Sequence, residues 1–425
     1  MTSGPVSNGP AGGGLIGDSI VFRHRAYWPI ILLAAAWTAA SLWDFRFRGL
    51  RPFDVFALGT IFGFIVLTWT EDKKWSTRGR PVLPLFVTFI AYCVFGYIDY
   101  RHRSSVAMIV LSAVGLYLIV TERSRDAFVI CRWLCAVHIA AFIIQIGVYH
   151  IFGRTIDFHQ MYGAHSRLYF ESSFRGAGLF QEPNSYCLNL FVLAAAAIFA
   201  QPSRSLAIFA GTSMMLSQSL WGAAAGLLLV ALNEVRQAGP FPRRVAMGVT
   251  AWLAMLLVFN AYLWSVKPVR LARPEFYNRL VNYQDDTSMR DRYLANGSYI
   301  ESCPNCEPFV DRAPAFHIPP IVKSLFGDGL STQVFINKVP ANGMAFLFNS
   351  FGLIGLILLA GCVLLALRGL LIADAIFIVV AVGFSFTTYP LITYVQFWLW
   401  VPTLLNLARE RAVASRLAES PRSVD

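Results

Sequence analysis

Charge is scarce in this chain. Asp, Glu, Lys and Arg together make up 14% of its 425 residues, against about 25% in an ordinary soluble domain. With 56% hydrophobic residues and a mean hydropathy of +0.55, water is not the main solvent, and an all-soluble globular or disordered architecture is excluded. The N-terminal stretch 1–18 lacks the short apolar core and small-residue cleavage site of a signal peptide, and reads as a disordered tail. Cysteine is too sparse for a disulfide scaffold. Five of the seven (Cys93, Cys131, Cys135, Cys187 and Cys362) fall in apolar segments as small hydrophobes, and only Cys303 and Cys306 share a polar loop. That pair suits a local disulfide outside the cytoplasm or a redox or metal pair, and without a second pair the zinc signal is weak. The acidic run 285–291 lacks calcium-loop spacing, so no metal is expected. A net charge of +11 scattered between apolar runs is a membrane pattern, and nucleic acid is not expected as a partner.

The long apolar runs define the architecture. Segments 27–43, 53–70, 81–98, 105–121 and 127–152 read as five spans, followed by a polar stretch 153–181, a span over 183–200, and an apolar run over 205–232. As one helix that last run would be about 42 Å long, too long for a hydrocarbon core of about 30 Å. Its centre reads Ser217-Gln218-Ser219, with Gly222 just beyond. Two short helices meeting at that polar break are therefore expected. Further spans over 245–264, 343–367, 369–386 and 388–408 give an all-α bundle of about twelve helices. A large loop, 265–342, lies between the ninth and tenth. The bundle occupies 27–408, between an N-terminal tail 1–26 and a basic C-terminal tail 409–425.

Lys and Arg set the orientation. The segments placed inside hold 17 of them, whereas the short outside loops hold Arg46, Arg48, Arg51, Arg101 and Arg103. That bias puts both termini in the cytoplasm and both long loops on the outer face.

Four segments carry candidate chemistry. The first is Phe174-Arg175-Gly176-Ala177-Gly178-Leu179-Phe180-Gln181-Glu182-Pro183-Asn184, where the first long loop enters the sixth span. The second is Ser217-Gln218-Ser219. The third is Ser288-Met289-Arg290, followed by Leu325-Phe326-Gly327-Asp328-Gly329. The fourth is Asn342 with Phe351-Gly352-Leu353. Taken together they resemble the O-antigen ligase and Wzy polymerase superfamily. The resemblance covers about 160–365, and the first five spans match it only in hydropathy.

The Arg that often follows the Ser-x-Ser turn in ligases is Leu220 here, and the His before Asn342 is Ala341. An exopolysaccharide or O-antigen repeat-unit polymerase is therefore the closer relative. The resemblance implies a multi-pass glycosyltransferase of the bacterial inner membrane acting on polyprenyl-diphosphate-linked glycan at the periplasmic face. It needs no cofactor. Membrane lipids, chain-length regulators and export proteins are the expected partners. A ligase acting on a lipid acceptor is the alternative within the family, and a polysaccharide-related transporter or flippase the alternative outside it. No internal repeat of the transporter kind is visible.

A departing diphosphate calls for fixed guanidinium groups, which bind phosphate bidentately and stay charged. Arg175 and Arg290 are the candidates. Glu182 is the candidate base for the attacking hydroxyl, ahead of His165 and His317. Asn184, Asn342, Ser217, Ser219 and Gly178 are candidate substrate-binding positions. Pro183 and Asn184 also suit an ordinary helix start, Asn342 an ordinary cap, and Arg175 with Glu182 a structural ion pair. His138 and Gln145 are polar residues inside the fifth span, where polarity is costly and usually finds a use.

Overall fold

The structure is a computed structural model of the chain. It describes residues 31, 34–38, 41–42, 124–158, 168–170, 173–282, 325, 343–387 and 395–419. These are mostly helical: α1 (Ser124–Phe152), a hairpin of β1 (Tyr169–Phe170) and β2 (Ser173–Phe174), α2 (Pro183–Ala200), α3 (Arg204–Leu216), α4 (Leu220–Arg236), α5 (Phe241–Ser265), α6 (Glu275–Val281), α7 (Gly343–Leu367), α8 (Ile372–Phe386) and α9 (Val395–Glu419). Three helices among the described residues are long and apolar enough to cross a membrane: Ala127–Phe152 within α1, α2 and α5. The expected spans over 53–121 lie outside the described residues.

Helix α2 is the hub. Its residues are apolar all round, and such a helix is stable only when surrounded by protein. From Ser185 to Phe199 every residue is buried. It packs against α1, α3, α4, α8 and α9. Helix α5 is the opposite case: only 11% of its apolar window is buried, and Leu253, Leu257 and Val258 point outward. The same hydrophobicity therefore serves two environments, a protein interior for α2 and a lipid-like exterior for α5.

The run 205–232 does divide in two. Helix α3 ends at Leu216, α4 begins at Leu220, and Gln218 between them has a left-handed backbone (φ 57). The two helices then pack along most of their length. Gly222-Ala223-Ala224-Ala225-Gly226 on α4 makes this possible, because glycines four apart let backbones approach closely. A Cβ on Gly226 would lie 2.6 Å from the Gly211 carbonyl oxygen on α3, and one on Gly222 would lie 2.4 Å from Cys187 Sγ on α2. Ser203 caps α3, and its own N–H donates to Asn233 Oδ1 at 2.8 Å. Trp252 Nε1 donates to the Leu227 carbonyl at 2.9 Å, pinning α5 to α4.

The two ends of the bundle differ. At one end lie the α3–α4 break and the entry to α2. At the other, Arg236 from α4 and Arg411 from α9 flank Phe199 at the end of α2, their guanidinium carbons 4.9 and 4.8 Å from its ring centre. Both pair with the fully buried Asp374 of α8; the Arg411 contact is 3.5 Å. Both also donate to carbonyls left open where α2 stops. Arg236 reaches Phe199, and Arg411 reaches Phe199 and Ala200. Burial lowers the proton affinity of both arginines, and Asp374 opposes that. Nearby, Arg204 makes a bidentate pair with Glu234 at 2.8 and 3.0 Å, which raises its proton affinity.

Helix α9 runs to Glu419, through eleven residues expected as tail. The sequence there, Arg-Glu-Arg-Ala-Val-Ala-Ser-Arg-Leu-Ala-Glu, contains no Gly or Pro and is rich in strong helix formers. Ala412 is buried, so the extension packs against the bundle. Helix α7 is interrupted at Gly352 (φ 61, ψ −170), inside the Phe351-Gly352-Leu353 segment.

Candidate functional site

The Phe174–Asn184 segment starts as a strand. Tyr169 pairs with Phe174 and Phe170 with Ser173 in the β1–β2 hairpin, and the Arg175 N–H donates to the Leu168 carbonyl at 2.6 Å. Arg175 thus leaves the hairpin from a fixed backbone position. Phe174 is fully buried and stacks on Tyr149 of α1, ring centres 4.2 Å apart.

From Gly176 to Phe180 the chain descends along α1. A Cβ on Gly176 would meet the Phe142 ring at 2.7 Å, so only glycine allows this approach. Gln145 then binds the loop: its Oε1 accepts from the N–H groups of Ala177 at 2.8 Å and Gly178 at 2.9 Å, and its Nε2 donates to the Ile156 carbonyl. Gly178 has φ 54 and its α-carbon faces the Tyr186 ring, so it serves as a turn. Further down, Phe180 lies beside the His138 ring, centres 5.2 Å apart. His138 is buried, and among the described residues neither ring nitrogen has a hydrogen-bond partner.

Glu182 is the N-cap residue of α2, with extended backbone, and its side chain makes no capping bond. Pro183 opens the helix, where its missing N–H costs nothing. Three polar bonds then tie the first turns of α2 to the α3–α4 break. Ser219 Oγ donates to Asn184 Oδ1. Ser217 Oγ lies 3.0 Å from Cys187 Sγ. Tyr186 donates to Ser213 Oγ at 3.0 Å. The Ser217 hydroxyl and the Cys187 thiol also both donate to the Met214 carbonyl, at 2.7 and 3.6 Å. Ser219 also caps α4, accepting from the Gly222 N–H at 3.0 Å. Both serine hydroxyls are thus committed to shaping the break.

Gln218, between them, projects the other way. Its Nε2 donates to the Phe174 carbonyl at 2.8 Å, so the break and the hairpin hold each other. The Arg175 guanidinium lies within electrostatic reach of Cys187. Arg175 is half-buried, and its charge is felt in the first turns of α2. A guanidinium carried there on a fixed backbone can bind an anion bidentately.

The structure brings Arg175, Gly178, Glu182, Asn184, Ser217 and Ser219 to one end of the bundle. Arg290 and Asn342 lie outside the described residues, as do His165, His317, Cys303 and Cys306. Sequence reasoning named Gln218 only as the middle of the break and missed Tyr186 and Ser213. Gln218 carried a signal, being the most polar residue at the centre of a 28-residue apolar run. Ser213 and Tyr186 carried none, since each looks ordinary without its partner. No protein-family model and no curated protein matches this chain, so the geometry of the Arg175 loop and the α3–α4 break is what defines the site.

Proposed function

We propose that the protein is a membrane glycosyltransferase that polymerises polyprenyl-diphosphate-linked oligosaccharide repeat units. It sits in the bacterial inner membrane with about twelve spans, its termini in the cytoplasm and its site on the periplasmic face. The observation that carries this reading is the Ser219–Asn184 hydrogen bond. It joins two of the four motif segments, 35 residues apart in the chain, beside a third feature of the same pattern, Arg175.

In the reaction, a sugar hydroxyl of the incoming lipid-linked unit attacks the anomeric carbon of the growing chain. The bond from that carbon to the diphosphate oxygen breaks, and the diphosphate leaves on its lipid with the electron pair. Arg175 and Arg290 balance the charge on the departing oxygens. Glu182 takes the hydroxyl proton. Gln145 and Gly178 set the loop, and Ser217, Ser219 and Asn184 set the helix entry against which it rests. Asn342 orients the acceptor.

The test is an in vitro reaction of purified protein with lipid-diphosphate-linked repeat units, read as a gel ladder. Wild type makes a ladder, and Arg175→Lys, which keeps the charge but not the fork, loses about a hundredfold in rate while unfolding at the wild-type temperature. Transfer to a lipid acceptor without a ladder identifies a ligase instead. Transport of intact substrate without either product identifies a transporter.

A further inference from the structure

Beside the break between α3 and α4 lies a groove of about 770 Å³, within the size range of ligand sites. Ala224 on α4, Leu256 and Phe259 on α5, and Phe276 on α6 line it, with Phe384 of α8 at its back. Of its other lining residues, Leu220 directly follows Ser219 and Met215 lies two residues before Ser217. One side of the groove is therefore the back of the candidate site. The Trp252 bond to the carbonyl of Leu227, a lining residue, holds α5 against α4 along the groove. At its mouth, Tyr277 donates to Asn260 Oδ1 at 2.9 Å and fastens α6 over α5.

The segment that supplies Phe276, Tyr277 and Leu280 to the groove is cationic. Lys267, Arg270, Arg273 and Arg279 lie on the segment that carries α6, whose one acid, Glu275, is buried. Lys267 is held 4.9 Å over the Trp264 ring. A largely apolar groove beside a cationic segment is complementary to an amphiphile with a long hydrocarbon chain and an anionic head. We infer that the groove holds the isoprenoid chain of the lipid diphosphate, which the cations of that segment draw in so that its head comes to rest beside Arg175. The choice of an isoprenoid rests on the transferase reading; the fit to an anionic amphiphile rests on the groove alone.

The test uses full-length protein in nanodiscs and an isoprenyl diphosphate with a photoreactive group in its chain, with labelled residues mapped by mass spectrometry. Labelling is expected on groove residues such as Leu256 and Phe276. Excess unlabelled isoprenyl diphosphate should suppress it, and the same excess of phosphatidylglycerol should not. Ala224→Trp, which fills the groove from an exposed position, should lower it about tenfold, as should Arg273→Ala with Arg279→Ala, the latter also flattening its salt dependence. Equal labelling of the outward face of α1 at Ile143 and Ile144, or equal suppression by phosphatidylglycerol, would overturn the assignment. Turnover is not needed for the readout. Groove labelling without a polysaccharide ladder sinks the transferase and keeps the groove, whereas a ladder without groove labelling does the reverse.

Discussion

Gln218 Nε2 donates to the Phe174 carbonyl at 2.8 Å, across 44 residues of chain, from a backbone in the left-handed region. The bond and the backbone act against each other energetically. A left-handed non-glycine residue costs about 1–2 kcal/mol, and a buried carbonyl that loses its donor costs about 1–3 kcal/mol. Gln218→Ala keeps the backbone cost and loses the bond, and Gln218→Gly loses the bond but relieves the backbone. Both variants should be less stable than wild type, with the glycine variant about 1 kcal/mol above the alanine one. Thermal unfolding in nanodiscs reads the order. Alanine at or above glycine would mean the break is not strained.

Gln145 should be the most sensitive position on α1. Gln145→Leu leaves the amides of Ala177 and Gly178 without an acceptor inside the protein, at about 1–3 kcal/mol each. Gln145→Glu keeps the acceptor but gives up the bond to Ile156 and buries a carboxylate, a smaller loss to the loop itself. Limited proteolysis of the 175–182 loop is expected to speed up markedly for the leucine variant and less for the glutamate one. Equal cleavage of both would show that the carboxamide does not hold the loop.

Gly226 tests the helix crossing. With the Gly211 carbonyl 2.6 Å from where its Cβ would stand, even Gly226→Ala forces α3 and α4 apart. Overpacking of this kind costs about 1–3 kcal/mol, and Gly226→Leu should exceed that range and reduce the yield of folded protein. Gly361, whose added Cβ would meet nothing within 4 Å, is the control and should accept alanine without loss. Size-exclusion profiles and unfolding temperatures separate the two.

The pairing around Asp374 is asymmetric. Asp374→Asn leaves Arg236 and Arg411 facing each other over Phe199 without the buried carboxylate they share, which should cost about 3–5 kcal/mol. Arg411→Met removes one cation and leaves Arg236 paired, so its cost should be smaller. The double variant Asp374→Leu with Arg411→Met should be no better than Asp374→Asn, because Arg236 is still buried alone. Unfolding measurements on the three variants decide the order.

Much of the helical plan was legible in the sequence, for reasons of length. The run 205–232 was too long for one span, and Ser217-Gln218-Ser219 was the polar interruption at its centre, so the break was readable to the residue. The entry to α2 at Pro183 was readable in the same way. Partners were not. Gln145 stood out as a polar residue in an apolar helix, but the groups it binds are backbone amides, which every residue has. Asp374, Arg236 and Arg411 come from three helices far apart in the chain, and nothing in any one segment indicates the other two. The extension of α9 to Glu419 was hidden by its charge, which reads as tail unless helix propensity is weighed against it. Within the site, glycines that permit close approach were visible as a motif, whereas the commitment of Ser217 and Ser219 to internal bonds appears only once the helices are folded.

Arg411 reaches the end of α2 from 212 residues further along the chain. A ribosome releases α2 long before it releases α9, so the central helix enters the membrane with its last carbonyls uncovered and its flanks unfilled. The protein therefore cannot mature segment by segment. Its hub stays provisional until α9 has been synthesised, and a nascent chain stopped short of Arg411 should be a substrate for quality control rather than a smaller working protein.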